Sequence, residues 1–332
     1  MRKPLVQLLL PALALMLLGT TASRADPAVI YDLGSKYDHS FNEAVFNGAK
    51  SWVAKNGGSF AEFEISNETQ REQAIRSEAE AGHNPVIVVG FAFEDALSTV
   101  SEEFPDSHFV ILDDELDKPN VQSVVFKAEE GSFLVGALAA MASKSNVISF
   151  VGGMDIPLIR SYSCGYKQGA NFINPKIQVI ENMTGTTPEA WNDPTKGGEL
   201  ARSQFDRGAD VVYAAAGGTG VGVLQAAADA KKLAIGVDSN QNGLHPGSVL
   251  TSMVNRLDVA TYDAFDDAKN GSWKPGVKVM GLADKGVDWA LDDDNAKLVT
   301  PEMKAKVEAA RDQIISGKIT VTDYVKTNSC PN

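Results

Sequence analysis

Short, continuously apolar runs alternate with longer amphipathic stretches along almost the whole chain, and that alternation leaves few folds open. The runs Ala28 to Leu33, Pro85 to Gly90, His108 to Leu112, Val121 to Phe126, Asn146 to Val151, Ile177 to Ile180, Ala209 to Ala214 and Leu233 to Val237 read as strands. Several are apolar at every position rather than every second one, as strands are when helices cover both faces of a sheet. Between them, stretches such as Phe41 to Lys55, Glu129 to Ala142 and Gly197 to Arg207 repeat apolar residues at spacings of three and four. Repeated β-α units of this kind build parallel, doubly wound sheets.

Residues 1–25 stand apart. Arg2 and Lys3 precede an uncharged run from Leu5 to Leu18, and Ser23-Arg24-Ala25 supplies small residues for a peptidase. This pattern predicts a secretory signal peptide cleaved near Ala25, because the apolar run is shorter than the roughly 20 residues a membrane-spanning helix needs. No cysteine lies at the junction, so the mature protein is expected to be free in the periplasm rather than lipid-modified.

About 307 residues remain, more than one hydrophobic core usually serves, so two lobes are expected. Crossings are predicted at Ala142 to Asn146, Gly247 to Ser252 and Val279 to Gly286. The first lobe then takes residues 26–144 and about 252–280, and the second takes 145–251 and about 281–332. Cys164 and Cys330 are the two cysteines of an exported chain, a setting that favours a disulfide over two free thiols.

Loss of Arg2, Lys3 and Arg24 takes the formal charge from −13 to −16. An acidic surface without a basic stripe argues against nucleic acid as a partner. His39, His83, His108 and His245 show no metal-ligand spacing, two cysteines cannot build a zinc site, and no G-x-S-x-G elbow is present. Neither a metal nor a cofactor is expected, and no catalytic residue stands out.

Ligands of open α/β sheets sit beyond the C-terminal strand ends. The loop after the first strand carries Asp32 and then Ser40-Phe41-Asn42-Glu43, with capping-box spacing between Ser40 and Glu43. Phe41 opens the following helix, and its spacing to Val45, Gly48 and Trp52 also suits simple core packing. Asp113 and Asp238 each end a strand, where a carboxylate either accepts ligand hydrogen bonds or caps a helix or loop. Trp191 precedes Asp193-Pro194, which reads as an N-cap and first helical residue. Its ring either packs on that helix start or stacks on a planar ligand. Gly217 lies in Ala216-Gly217-Gly218-Thr219-Gly220, which lacks nucleotide-loop spacing and serves either close backbone approach or tight packing.

Five segments together resemble the basic membrane protein family, the branch of type I periplasmic binding proteins that includes bacterial purine nucleoside receptors. They are Asp38-His39-Ser40-Phe41-Asn42, Glu130-Gly131-Ser132-Phe133-Leu134-Val135-Gly136, Val151-Gly152-Gly153-Met154, Ala216-Gly217-Gly218-Thr219-Gly220 and Ile235-Gly236-Val237-Asp238. The resemblance covers nearly the whole mature chain. It implies two doubly wound lobes joined by three hinge crossovers, a nucleoside in the cleft, and delivery to an ABC-type permease by a monomeric receptor. It also implies that Phe41 and Trp191 sandwich the base and that Asp238 holds the ribose. Asp32, Asn42 and Asp113 match ligand-reaching positions of the first lobe, and Gly217 supplies a backbone contact. Asn255 stands where the family usually has lysine, so it brings a donor without charge. A sugar receptor of related fold and, further off, a nucleoside hydrolase are the alternative readings.

Overall fold

The computed structural model describes residues 25–331, so the expected leader lies almost wholly outside the described residues. The chain runs β1 (Ala28–Tyr31), α1 (Phe41–Asn56), β2 (Ala61–Glu64), α2 (Arg71–Glu80), β3 (Val86–Val89), α3 (Glu94–Glu103), β4 (Phe109–Leu112) and β5 (Val121–Phe126). It continues through α4 (Ala128–Ala142), β6 (Val147–Met154), α5 (Pro157–Ile173), β7 (Gln178–Gly185), α6 (Pro194–Asp206), β8 (Val211–Ala215), α7 (Thr219–Asp229) and β9 (Leu233–Asp238). Last come β10 (Val249–Asn255), α8 (Leu257–Asn270), β11 (Gly276–Met280), β12 (Val287–Trp289), α9 (Pro301–Ile315) and α10 (Tyr324–Thr327).

Two six-stranded sheets result, ordered β2-β1-β3-β4-β5-β11 and β7-β6-β8-β9-β10-β12. All neighbours are parallel except β12, which runs antiparallel to β10. Strands β1, β3, β4 and β8 are buried at every residue, which explains their unbroken apolar runs. Edge strand β2 alternates between partly buried and exposed positions, and its Ala-Glu-Phe-Glu sequence gives no such run.

Two of the three crossings between lobes fall elsewhere than the sequence suggests. Helix α4 packs chiefly on α5 and also on α9, β10 and β12, so it belongs with the second sheet. The first crossing is therefore at Lys127, not at Ala142 to Asn146. That polar stretch is an ordinary helix-to-strand loop held by Asp210, whose carboxylate accepts from Ser143 Oγ and from the amides of Lys144 and Ser145. Strand β10 stays in the second sheet to Asn255, while α8 packs on α1 of the first lobe. The chain thus leaves the second lobe after Asn255, beyond the boundary expected near 252. The third crossing lies between β11 and β12, and the segments run together: Lys127 N donates to Met280 O and Arg256 N to Gly286 O.

Close helix approach explains the Gly131-to-Gly136 motif in part. A Cβ at Gly136 would stand 2.1 Å from Tyr166 O, and one at Gly169 would stand 1.9 Å from Phe133 O. Any side chain there pushes α4 and α5 apart. Cys164 on α5 is bonded to Cys330, with Cα atoms 5.6 Å apart, which fastens the C-terminal tail to the second lobe.

Candidate functional site

The strand ends of the two sheets face each other across one cavity. Asp32, Phe41, Asn42, Phe91 and Asp113 line it from the first lobe, and Tyr162, Trp191, Gly217 and Asp238 from the second. The lobes nearly touch at its rim: a Cβ at Gly34 would lie 4.0 Å from Asn192 Cβ, and one at Gly218 would lie 3.8 Å from Asp38 Cβ.

Helix α1 brings Phe41 to this cavity, but its start is built differently from a capping box. The Asp38 carboxylate accepts from the amides of Ser40, Asn42 and Glu43 at 2.8, 3.0 and 3.1 Å. Asp38 therefore satisfies the helix's orphan donors. Ser40, the expected cap, makes no side-chain cap bond; its hydroxyl donates instead to Asp238 Oδ2 at 2.6 Å. Asn42 Nδ2 donates to the carbonyls of Asp32 and Ser35, leaving a buried Oδ1 without a protein partner at the cavity wall. Asp32 is held by Arg71 Nη2 at 2.9 Å, and that guanidinium lies over the Phe93 ring.

Trp191 ends a short 3-10 turn, Pro188–Trp191. Thr219 Oγ1 donates to Ala190 O at 2.8 Å and accepts from Asp193 N at 2.7 Å, while Thr184 Oγ1 donates to Ala190 O as well. Asp193 caps α6 by accepting from Lys196 N. The glycine loop runs beneath the indole, where Gly217 adopts a φ of +54° and a Cβ would stand 3.7 Å from Trp191 Cε3. Its glycines admit a ring as well as a turn.

Asp113 and Asp238 both adopt left-handed backbones, with φ of 62° and 63°. Such strain in a non-glycine residue concentrates at functional positions. Asp238 accepts from Ser40 and, at 2.8 Å, from Asn255 Nδ2. Burial raises its pKa to about 6 against those two hydrogen bonds. Among the described residues nothing donates to the Asp113 carboxylate. Burial, then the charges of Asp238 and Asp114, push its pKa up to about 8. The cavity lining contains no lysine or arginine.

Of the residues singled out from sequence, Asp32, Phe41, Asn42, Asp113, Trp191, Gly217 and Asp238 line the cavity. Asn255 does not. It is buried behind the wall, where Nδ2 donates to both Asp238 and the Tyr162 hydroxyl. The family resemblance had placed its side chain at the ligand, but Asp238 and Tyr162, which it holds, take the positions on the cavity wall. Tyr162 and Phe91 went unnoticed in the sequence. Phe91 follows strand β3 and was within reach of the strand-end rule, whereas Tyr162 lies within α5 and carries no local signal. Among the described residues no group of three or more His, Cys, Asp or Glu side chains is arranged to hold a metal ion.

A family model described as Bmp, ABC transporter substrate-binding protein PnrA-like, matches residues 26–324. The ABC transporter nucleoside-binding protein BmpA of Lactococcus lactis is 32% identical, over 89% of this chain and 88% of its own. An uncharacterised lipoprotein of Pyrococcus abyssi is 30% identical, over 82% of this chain and 71% of its own. The crystal structure of an ABC transporter solute-binding protein from Aeropyrum pernix superposes with a TM-score of 0.82 at 24% identity, covering 90% of this chain and 93% of that one. That likeness establishes the fold: two α/β lobes of the type I periplasmic binding protein class.

Proposed function

The chain belongs to the family of PnrA-like ABC transporter substrate-binding proteins, and from that premise we propose that it captures a purine nucleoside between its lobes and presents it to an ABC-type permease in the inner membrane. The observation that carries this reading is one cavity lined by Phe41 from the first lobe and Trp191 from the second, with Asp113 and Asp238 at its wall. Two flat apolar faces suit a heterocycle, and carboxylates suit hydroxyl and N–H donors. The nucleoside-binding name of the Lactococcus relative supports the same class.

In this reading the base docks on Phe41 in the open form, and hinge closure at the three crossings brings Trp191 and Asp238 over it. Closure is driven by contacts that only the shut state makes. The buried Asn42 Oδ1 accepts from the ligand, since no protein donor reaches it. No helix among the described residues is long and apolar enough to cross a membrane. The form proposed is a free periplasmic monomer, in contrast to the lipoprotein that the Pyrococcus relative is named as.

Isothermal calorimetry with inosine, guanosine, adenosine and cytidine tests the assignment. Micromolar or tighter binding of a purine nucleoside is expected. If none of the four binds, the nucleoside reading falls while the solute-binding role stands.

A further inference from the structure

We propose that Ser40 is the residue that holds the lobes shut, a positioning residue whose hydroxyl bolts the first lobe to Asp238 of the second without serving as a ligand contact. The inference rests on the solute-binding reading above, because it concerns the closed state of that cycle.

Three observations converge on Ser40. It sits at the N-cap of α1 yet is fully buried and makes no cap bond, because Asp38 has taken over the amides a capping serine would serve. Its hydroxyl reaches Asp238 Oδ2 at 2.6 Å, a charge-assisted bond between residues 198 positions apart and on opposite lobes. The second lobe also grips the backbone beside it. Ser239 Oγ donates to Ser40 O at 2.8 Å, and Gln241 Nε2 donates to His39 O at 2.8 Å. Gln241 is itself set by Val237 N, which donates to its Oε1, and by Ser252 Oγ, which accepts from its backbone N–H. The receiving side is therefore held by hydrogen bonds within its own lobe.

The acceptor is also wired to the cavity. Asp238 Oδ1 accepts from Asn255 Nδ2, which donates to the Tyr162 hydroxyl as well, and Tyr162 and Asp238 both line the binding chamber. A ligand touching that wall bears on the same carboxylate that receives the bolt. Since Ser40 and Asp238 separate when the lobes part, their bond favours only the closed state and shifts the population toward it. Burial supplies the strength: a hydrogen bond to a charged group in a dry setting exceeds an ordinary one.

The test compares Ser40→Ala and Ser40→Thr with the unmodified protein by stopped-flow mixing with inosine. Ser40→Ala is expected to release inosine about tenfold faster with the association rate and the ligand-free melting temperature unchanged, and Ser40→Thr is expected to restore slow release. Unaltered release from Ser40→Ala, or faster release matched by a lower melting temperature of the ligand-free protein, overturns the proposal. A second measurement needs no ligand. Ser40→Cys combined with Asp238→Cys is expected to form an interlobe disulfide under mild oxidation, seen by peptide mapping, and failure to bridge overturns the bolt. If inosine does not bind the unmodified protein, the nucleoside reading fails and the cross-link alone decides the role of Ser40.

Discussion

The Trp191 indole lies against the backbone of Gly153, where a Cβ would stand 2.1 Å from Cζ3 and 2.4 Å from Cε3. Strand β6 is thus shaped to seat a ring, and the Val151-Gly152-Gly153-Met154 segment acquires a physical reason. The backbone there fixes the plane on which a heterocycle is proposed to stack.

Gly153→Ala should therefore displace the indole and leave the sheets in place, since Trp191, though it packs on the core, ends a short 3-10 turn rather than a strand or helix. Inosine affinity is expected to fall about tenfold or more, in line with the roughly 1–3 kcal/mol of one ring stack. Calorimetry alongside far-ultraviolet circular dichroism checks it. Unchanged affinity would mean that the Trp191 face is not used.

Phe41→Ala attacks the opposite face. Phe41 is the first residue of α1, and the cap depends on the Asp38 carboxylate rather than on its ring. Because the ring is partly buried against the core, the variant is expected to stay folded at a cost of about 1–3 kcal/mol while losing inosine affinity about tenfold or more. A large drop in stability with affinity retained would return Phe41 to the core-packing role its helical spacing also allows.

The Cys164–Cys330 bridge spans a separation of 166 residues and restrains a long stretch of the unfolded chain. Cys330→Ser should cost roughly 2–5 kcal/mol, read as a lower urea midpoint of the ligand-free protein. Dithiothreitol should reproduce that loss in the unmodified protein and do nothing to the variant.

The fold was legible because burial on both faces writes itself into β1, β3, β4 and β8 as unbroken apolar runs. Edge strand β2, half exposed, was silent for the same reason. The aspartates at the ends of β4 and β9 were legible from the strand-end rule alone, whereas the pairing of Phe41 with Trp191 came from family resemblance. The first hinge was misread because a polar loop such as residues 143–146 looks the same whether it joins lobes or turns a corner. Only the packing of α4 on α5 tells the two apart. Tyr162, Asn255 and the Ser40 hydroxyl depend on which side chains meet across separations of 17 to 198 residues, and no local spacing encodes that. The serine of a perfect capping-box pattern proved to be committed elsewhere.

Asp113 carries the sharpest pH prediction. Its folded-state pKa of about 8, set by burial and by the charges of Asp238 and Asp114, exceeds the roughly 3.9 of an unfolded aspartate. Between those values the folded protein binds more protons than the unfolded one, so stability falls as pH rises through the window. Asp238, raised to about 6, adds to the lower part of it. Asp113→Asn keeps the side-chain shape and removes the titration. Its melting temperature should vary less between pH 5 and 8, conditions read against the linkage above, and should exceed that of the unmodified protein at pH 8 by roughly 2–4 °C, the shift that about 1 kcal/mol produces in a sizeable domain. Ligand binding should move the other way, because the amide offers a weaker acceptor to a hydroxyl or N–H donor, and inosine affinity at pH 8 should drop about tenfold. A steeper pH dependence in the variant, or a gain in affinity, would show that the Asp113 carboxylate is neither the strained, partly buried charge nor the ligand acceptor proposed for it at the end of β4.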